Sequence, residues 1–397
     1  MTKIEISREN QLHVIKEKIW TKDFILICIA NLFIFLAFQI TLPTIPLFVT
    51  HLGGNEQFIG FIIGVFTFSA LLIRPFAGHA LETKGRRFVF LTGLVIFIFS
   101  LGSYSVTTSI LFLFIMRIIQ GVGWGLSTTA SGTIVTDIIP ASRRGEGIGY
   151  FGLSGNIALA VGPSLGLLLI DQISYFWLFI LCPCFCILAL TLASFVTYKK
   201  PVEYQIRVKW DLYEKEALDP SILALFITAT FGGIASFLPL YTVQKGVEGI
   251  HWYFIIYALS LMVTRLFAGQ LYDRKGHRFV FLPGASLIFI AMLLLAWMAN
   301  SAVLYLAAIC YGVGFGTVQP ALQAWAVERS PKNRRGMANA TFFSFFDLGI
   351  GCGAILFGQI GYWIGYTSIY VTSACSVLIT VFYYFMILRK EKTTSRK

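Results

Sequence analysis

Charge is what this sequence lacks most. Only 13% of its 397 residues are Asp, Glu, Lys or Arg, and 57% are hydrophobic, whereas a soluble chain averages roughly a quarter charged residues. Acids number 19 and histidines five. The histidines show no metal-ligand spacing, and His51 and His251 fall where an outer interface is expected. No Gly-x-x-x-x-Gly-Lys-Ser/Thr loop occurs, which excludes direct nucleotide hydrolysis of that type. Neither a nucleophile–base constellation nor an extramembrane domain is present, so an enzyme is not expected. The seven Cys all lie in apolar stretches. Cys182, Cys184 and Cys186 look metal-like, but residues two apart on a helix do not share a face, and no His or acid accompanies them. They read as apolar filler, and no cofactor or metal is expected. The apolar runs lack the alternation of barrel strands, which excludes a transmembrane β-barrel.

Long apolar runs are what the sequence has instead. A membrane-spanning helix needs about 20 mostly apolar residues. Twelve such stretches can be marked, at 24–46, 57–80, 88–107, 109–136, 147–170, 175–197, 220–243, 251–271, 279–298, 301–327, 337–360 and 366–388. The expected fold class is an all-α membrane protein of about 12 transmembrane helices. Residues 1–23 read as a cytoplasmic segment rather than a cleavable leader, being charged and polar. Within them Leu12, Ile15 and Ile19 repeat at helical spacing beside Lys16, Lys18 and Lys22, as in an interfacial helix.

The net charge of +12 would suit a nucleic-acid partner, but its distribution argues otherwise. With the amino terminus placed inside, 27 of the 31 Lys and Arg fall on one side. Only Lys245 lies in an opposite loop, and Arg74, Arg117 and Arg265 lie within spans. Positive loops stay cytoplasmic, so both termini are expected there, in a multi-pass protein of the cell membrane. The partners implied are anionic lipid headgroups rather than nucleic acid.

The chain also repeats itself. Shifted by 191 residues, Arg74, Phe76, Ala77 and Gly78 meet Arg265, Phe267, Ala268 and Gly269. Arg87 to Leu91 meet Arg278 to Leu282 identically. Gly121, Gly123 and Gly125 meet Gly312, Gly314 and Gly316, and Pro140, Arg143, Arg144 and Gly145 meet Pro331, Arg334, Arg335 and Gly336. One ungapped offset over more than seventy residues marks a duplicated unit. The division expected is a six-helix bundle at 24–197, a linker at 198–219, a second bundle at 220–388 and a tail at 389–397. Six spans return the chain to its starting side, so the halves are parallel repeats, as in transporters whose halves rock about a midplane site.

Between spans two and three stands Gly78-His79-Ala80-Leu81-Glu82-Thr83-Lys84-Gly85-Arg86-Arg87, and its repeat is Gly269-Gln270-Leu271-Tyr272-Asp273-Arg274-Lys275-Gly276-His277-Arg278. Gly85 and Gly276 suit a sharp turn. Glu82 or Asp273 can pair with a nearby Arg or face a helix N-terminus, holding the cytoplasmic side shut. Asp137 and Glu328, at matching ends of spans four and ten, are expected in the same network. These loops resemble the signature loop of the major facilitator superfamily, Gly-three residues-Asp-two residues-Gly-Arg-Lys/Arg, with Glu82 substituting for the acid in the first copy. The resemblance extends to Arg117-Ile118-Ile119-Gln120-Gly121, similar to the family's Arg-x-x-Gln-Gly motif. It implies a role for Arg117 and Gln120 in proton transfer or substrate contact; the alternative for Arg117 is a structural role, satisfied by carbonyls. Span five, with Gly149, Gly162, Pro163 and Gly166, is similar to the antiporter motif of drug and metabolite exporters, from which Ala158 and Leu167 depart.

Asp347 is the one carboxylate expected near the middle of a span, and its repeat partner is Asn156. A carboxylate held away from water resists ionisation, which suits proton coupling. The alternative is a structural acid, hydrogen-bonded or paired with an Arg such as Arg265. Many exporting relatives carry an acid in span one, where this chain has Asn31 and Gln39. The expected function is secondary active transport of a small-molecule substrate by alternating access: proton-coupled efflux of small hydrophobic compounds or metabolites. The alternatives are an uptake symporter or facilitative carrier and, beyond transport, a membrane sensor.

Overall fold

A computed structural model describes residues 18–140, 143–198, 213–331 and 335–394. Most of the expected interfacial helix before residue 18 and most of the linker lie outside the described residues. Twelve long helices follow one another: α1 Lys22–His51, α2 Glu56–Thr83, α3 Arg86–Ser103, α4 Ile110–Ile138, α5 Arg144–Ile170, α6 Tyr175–Ser194, α7 Leu218–Lys245, α8 Ile250–Lys275, α9 His277–Ala296, α10 Ser301–Arg329, α11 Arg335–Ile364 and α12 Tyr366–Thr394. No strand occurs among the described residues. In hydrocarbon every backbone group must bond within its own segment, which an apolar helix does.

Eleven of the twelve are long and apolar enough to cross a membrane among the described residues; α8 is not in that set. The expected span at 251–271 is present as the helix α8, Ile250–Lys275. Side chains begin several of the helices. Thr21, Asn55 and Asn300 accept the amides of Phe24, Phe58 and Val303 at 3.2, 3.2 and 3.0 Å, capping α1, α2 and α10. Gly85 and Gly276 start α3 and α9 at φ +90° and +75°. At these matching places in the repeat the chain needs backbone that only glycine adopts without strain.

The duplication read from the sequence is a duplication of packing. In the first half α1 packs on α5 and α6, α2 on α4, and α3 on α4 and α6. In the second half α7 packs on α11 and α12, α8 on α10, and α9 on α10 and α12. Each half has its own hydrophobic core. The second core takes in Leu42 and Leu167 from the first half, and the first takes in Phe237, Ala354 and Phe357 from the second. The halves meet chiefly along α2–α11 and α5–α8, with a smaller α1–α7 contact. Exposed Leu72, Phe76, Val263 and Phe267 mark faces turned outward, where a soluble protein would carry polar groups and a membrane protein meets lipid. By contrast α7 is 83% buried over its apolar window, so it lies at the centre rather than on the lipid face.

Candidate functional site

The interface between the halves carries two contacts that the 191-residue offset relates. On α2, Arg74 Nη2 donates to Asp347 Oδ2 of α11 at 2.6 Å. On α8, Arg265 Nη1 donates to Asn156 Oδ1 of α5 at 2.5 Å, and its Nη2 donates to Gln319 Oε1 of α10 at 2.6 Å. Arg74 and Arg265 are repeat partners, as are Asn156 and Asp347. The pairing therefore corrects one expectation: Asp347 is bonded to Arg74, and the Arg265 guanidinium goes to amides. Neither half contains a complete pair, because each guanidinium reaches across to the other bundle. Asp347 stands twelve residues into α11, about 18 Å along the helix at 1.5 Å per residue. The Arg74 and Asp347 side chains are 28% and 26% exposed, so the ion pair is open to the space between the halves.

From Arg265 a line of amides runs toward the end of the bundle where the termini lie. Gln319 Nε2 donates to Gln323 Oε1 at 3.3 Å, and Gln323 Nε2 donates to Asn339 Oδ1 at 3.1 Å. It ends in a cavity of about 670 Å³ lined by Gln323, Asn339, Tyr272, His277 and Glu328. Aromatic rings cluster inside both bundles. Phe38 stacks on Trp124 with centroids 4.3 Å apart, and Phe315 lies against Phe231 at 5.9 Å and Phe346 at 6.2 Å.

The two ends of the molecule differ. At the end away from the termini the halves close on each other. Gln57 Nε2 donates to Gln359 Oε1 at 2.8 Å, Ser164 Oγ donates to the His251 carbonyl at 2.9 Å, and a Cβ on Gly60 would lie 2.6 Å from the Ala354 carbonyl oxygen. At the other end the contacts among the described residues run within one half. Arg86 pairs with Asp137 at 3.1 Å and donates to the Leu81 carbonyl, Arg329 pairs with Asp219 at 3.2 Å, and the Tyr272 hydroxyl donates to Glu328 at 2.6 Å. The signature loops also repeat a cation–ring contact, Lys84 over Phe88 and Lys275 over Phe279. Arg87 and Arg278 are exposed, and Gly78 is half-buried. The side chains of Glu82 and Asp273, and position Gly269, lie outside the described residues.

This duplicated twelve-helix architecture is matched by a known family: the sequence fits the Major Facilitator Superfamily over residues 27–328 and again over 246–397. The chain belongs to the Major Facilitator Superfamily. It is a transporter of that type and not an enzyme. It is 26% identical, over 92% of its length and 96% of the relative's, to the staphylopine export protein of Staphylococcus aureus. It is 21% identical to the quinolone resistance protein NorA of the same species, over 83% of this chain and 88% of that one. Among solved structures, the nucleoside transporter NupG superposes with a TM-score of 0.75 at 15% identity, covering 92% of this chain and 98% of that one. A bacterial homologue of the human lysosomal transporter Spinster, inward-facing and occupied, gives 0.71 at 14% identity, with 92% and 96% covered. At such identities the solved structures bear on the fold alone.

In this superfamily member the remaining expected residues separate by depth and exposure. Arg117 is 2% exposed and satisfied inside the first bundle: Nε donates to the Ile62 carbonyl at 3.3 Å, Nη1 to Gln120 Oε1 at 2.6 Å, and the guanidinium lies 4.4 Å from the Phe66 ring centroid. Gln120 also accepts the Tyr104 hydroxyl at 2.7 Å. Asn31 donates to Ser154 Oγ at 2.9 Å, joining α1 to α5. Gln39 is buried with its Oε1 unpartnered. Gly162 and Gly166 let α5 lie against α1, since a Cβ there would strike Gln39 and the Ile40 carbonyl; Pro163 stands between them, and Gly149 faces open space. Cys182 and Cys186 are buried while Cys184 is exposed, so the three thiols do not converge. The line of Gln319, Gln323 and Asn339 was not anticipated. Its signal was two glutamines four apart on an apolar helix, a spacing that stacks them on one face.

Proposed function

We propose that the protein is a proton-coupled exporter of small, partly hydrophobic compounds or metabolites, set in the cell membrane with both termini cytoplasmic. The observation that carries this reading is the Arg74–Asp347 ion pair, which joins the two halves deep in the bundle and is open to the space between them. Protonating Asp347 removes the charge that holds Arg74, so proton binding and separation of α2 from α11 become one event. Releasing the proton on the other side restores the pair. A carboxylate loses most of its attraction for a guanidinium when neutral, so one proton can bias two arrangements of the halves. With the termini inside, the closed end is the outer one, and the 670 Å³ cavity belongs to the cytoplasmic side. The aromatic clusters of both bundles suit a partly apolar substrate, and the export in the name of the staphylopine relative supports the outward direction. Glu82, Asp273, Asp137 and Glu328 act here as cytoplasmic gate residues. Arg117 and Gln120 stiffen the first bundle.

The test is reconstitution in proteoliposomes with and without an imposed pH gradient. Asp347→Asn keeps the hydrogen bond to Arg74 but cannot ionise. Gradient-driven accumulation should fall at least about tenfold, the scale expected when a proton-transfer group is lost, while substrate-for-substrate exchange survives. Gradient-driven transport at the parental level would make Asp347 structural.

A further inference from the structure

The two repeat-related arginines differ in one respect. Among the described residues Arg74 has a carboxylate partner, and Arg265 has none. The described partners of Arg265 are the amide oxygens of Asn156 and Gln319, and its Nε, like that of Arg74, is buried with no partner among the described residues. A guanidinium deep in a membrane is costly unless an opposite charge or a ring of acceptors satisfies it. Arg117 shows the second solution, with a carbonyl, an amide oxygen and an aromatic face around it and no orphaned nitrogen. Arg265 shows neither. Its amide partners offer dipoles and no charge. They hold the guanidinium plane in place, and they start the polar line Gln319–Gln323–Asn339 that runs to the open cavity.

We propose that Arg265 is the substrate's anion anchor, and that the compounds carried bear a carboxylate. The carboxylate enters along the amide line and meets Arg265 through Nε and one Nη, the side-by-side geometry in which a guanidinium binds a carboxylate with two parallel hydrogen bonds. The apolar remainder of the compound lies against the Phe231, Phe315 and Phe346 rings. Asn156 is the specificity element. At this position the repeat carries Asp347, which occupies Arg74, and the amide on α5 leaves Arg265 unneutralised. This assignment names the substrate class of the exporter proposed above and rests on that reading.

The experiment uses the purified, detergent-solubilised full chain and three probes of one shape: phenylacetate, phenethylamine and phenethyl alcohol. Phenylacetate should raise the thermal unfolding midpoint in a saturable way, and the amine and alcohol should not. Arg265→Gln should weaken phenylacetate binding by about tenfold or more, as when a charge-assisted hydrogen bond is lost. Asn156→Asp is the second variant and guards against misfolding. It supplies Arg265 with a carboxylate of its own, so it should unfold no earlier than the parent yet lose the response to phenylacetate. Equal stabilisation by all three probes, or a parental phenylacetate response in Asn156→Asp, would overturn the anchor. Its fate is separable from that of the exporter. Gradient-driven transport of a compound lacking a carboxylate, with no phenylacetate response, sinks the anchor and leaves the exporter standing. Arg265-dependent phenylacetate binding in a protein whose transport ignores the pH gradient does the reverse.

Discussion

The two halves share one backbone and bury different chemistry. In the first, the polar heart is Arg117 with Gln120 and Tyr104, every described contact made inside the bundle. In the second, the same offset places Ala308 opposite Arg117 and Tyr311 opposite Gln120. Tyr311 shares a 2.9 Å hydrogen bond with Thr230, and around it sit Tyr253, Tyr257 and Tyr370, fully buried with hydroxyls that have no partner among the described residues. Their counterparts in the first half are Ile62, Phe66 and Phe179. The duplication therefore conserves shape, and the halves have diverged in what they can hydrogen-bond. The first network bonds its guanidinium and its hydroxyl and leaves only the Gln120 Nε2 without a partner among the described residues, while three orphaned hydroxyls cost stability unless water or movement reaches them. The first half reads as the rigid partner and the second as the half whose interior can be rehydrated.

Four measurements break or sharpen that contrast. The largest effect is expected from Arg117→Ala, which empties a buried site and strands Gln120 and Tyr104. Unfolding in mild detergent should show a loss on the order of 3 kcal/mol, and a loss under 1 kcal/mol would mean the first half is not organised around Arg117. Next come Gly85→Ala and Gly276→Ala, where the halves should agree: each forces a side chain into positive-φ backbone, at a cost of about 2 kcal/mol. Clearly unequal costs would show that the repeats differ in backbone as well as side chains. Third is the exchange variant Asn156→Asp with Asp347→Asn, which moves the carboxylate from the α2–α11 contact to the α5–α8 contact. It should fold like the parent but keep less than about a tenth of the gradient-driven transport, a difference of roughly 1.4 kcal/mol. Full activity would make the two contacts interchangeable. The smallest effects come from single hydroxyls. Tyr104→Phe loses the bond to Gln120 and should cost about 1 kcal/mol, whereas Tyr370→Phe removes an orphan and should be neutral or slightly stabilising. Equal losses would show that Tyr370 has a partner in solution.

Much of this was legible in the sequence, because hydrocarbon leaves a chain few options. Apolar length located the helices to within about two turns at each end, and the 191-residue offset already implied that any contact made by Arg74 has a counterpart made by Arg265. What the offset cannot state is which helix of one half faces which helix of the other. Asp347 and Arg265 lie in the same repeat and look like natural partners on paper. In the fold α11 lies on α2 and α8 on α5, so each guanidinium finds its acceptor in the opposite bundle. The line of amides was missed for a related reason: Gln319 and Gln323 are ordinary until Asn339 of the next helix is brought beside them.

The arginine contacts have an electrical consequence. Arg74 and Asp347 together are a neutral dipole, which can shift through the membrane's field at little cost. Arg265 beside two amides is a net positive charge at similar depth. One elementary charge crossing the full field is worth about 2.3 kcal/mol per 100 mV, and a charge crossing part of it is worth that fraction. On the proposed cycle, the assembly with the substrate anion seated on Arg265 is neutral; returning empty with Asp347 protonated, it carries the positive charge of both guanidiniums. Voltage then acts mainly on the return of the empty carrier. The negative interior of a cell draws that positive charge inward, which in the proposed direction of transport resets the carrier toward the side on which it loads.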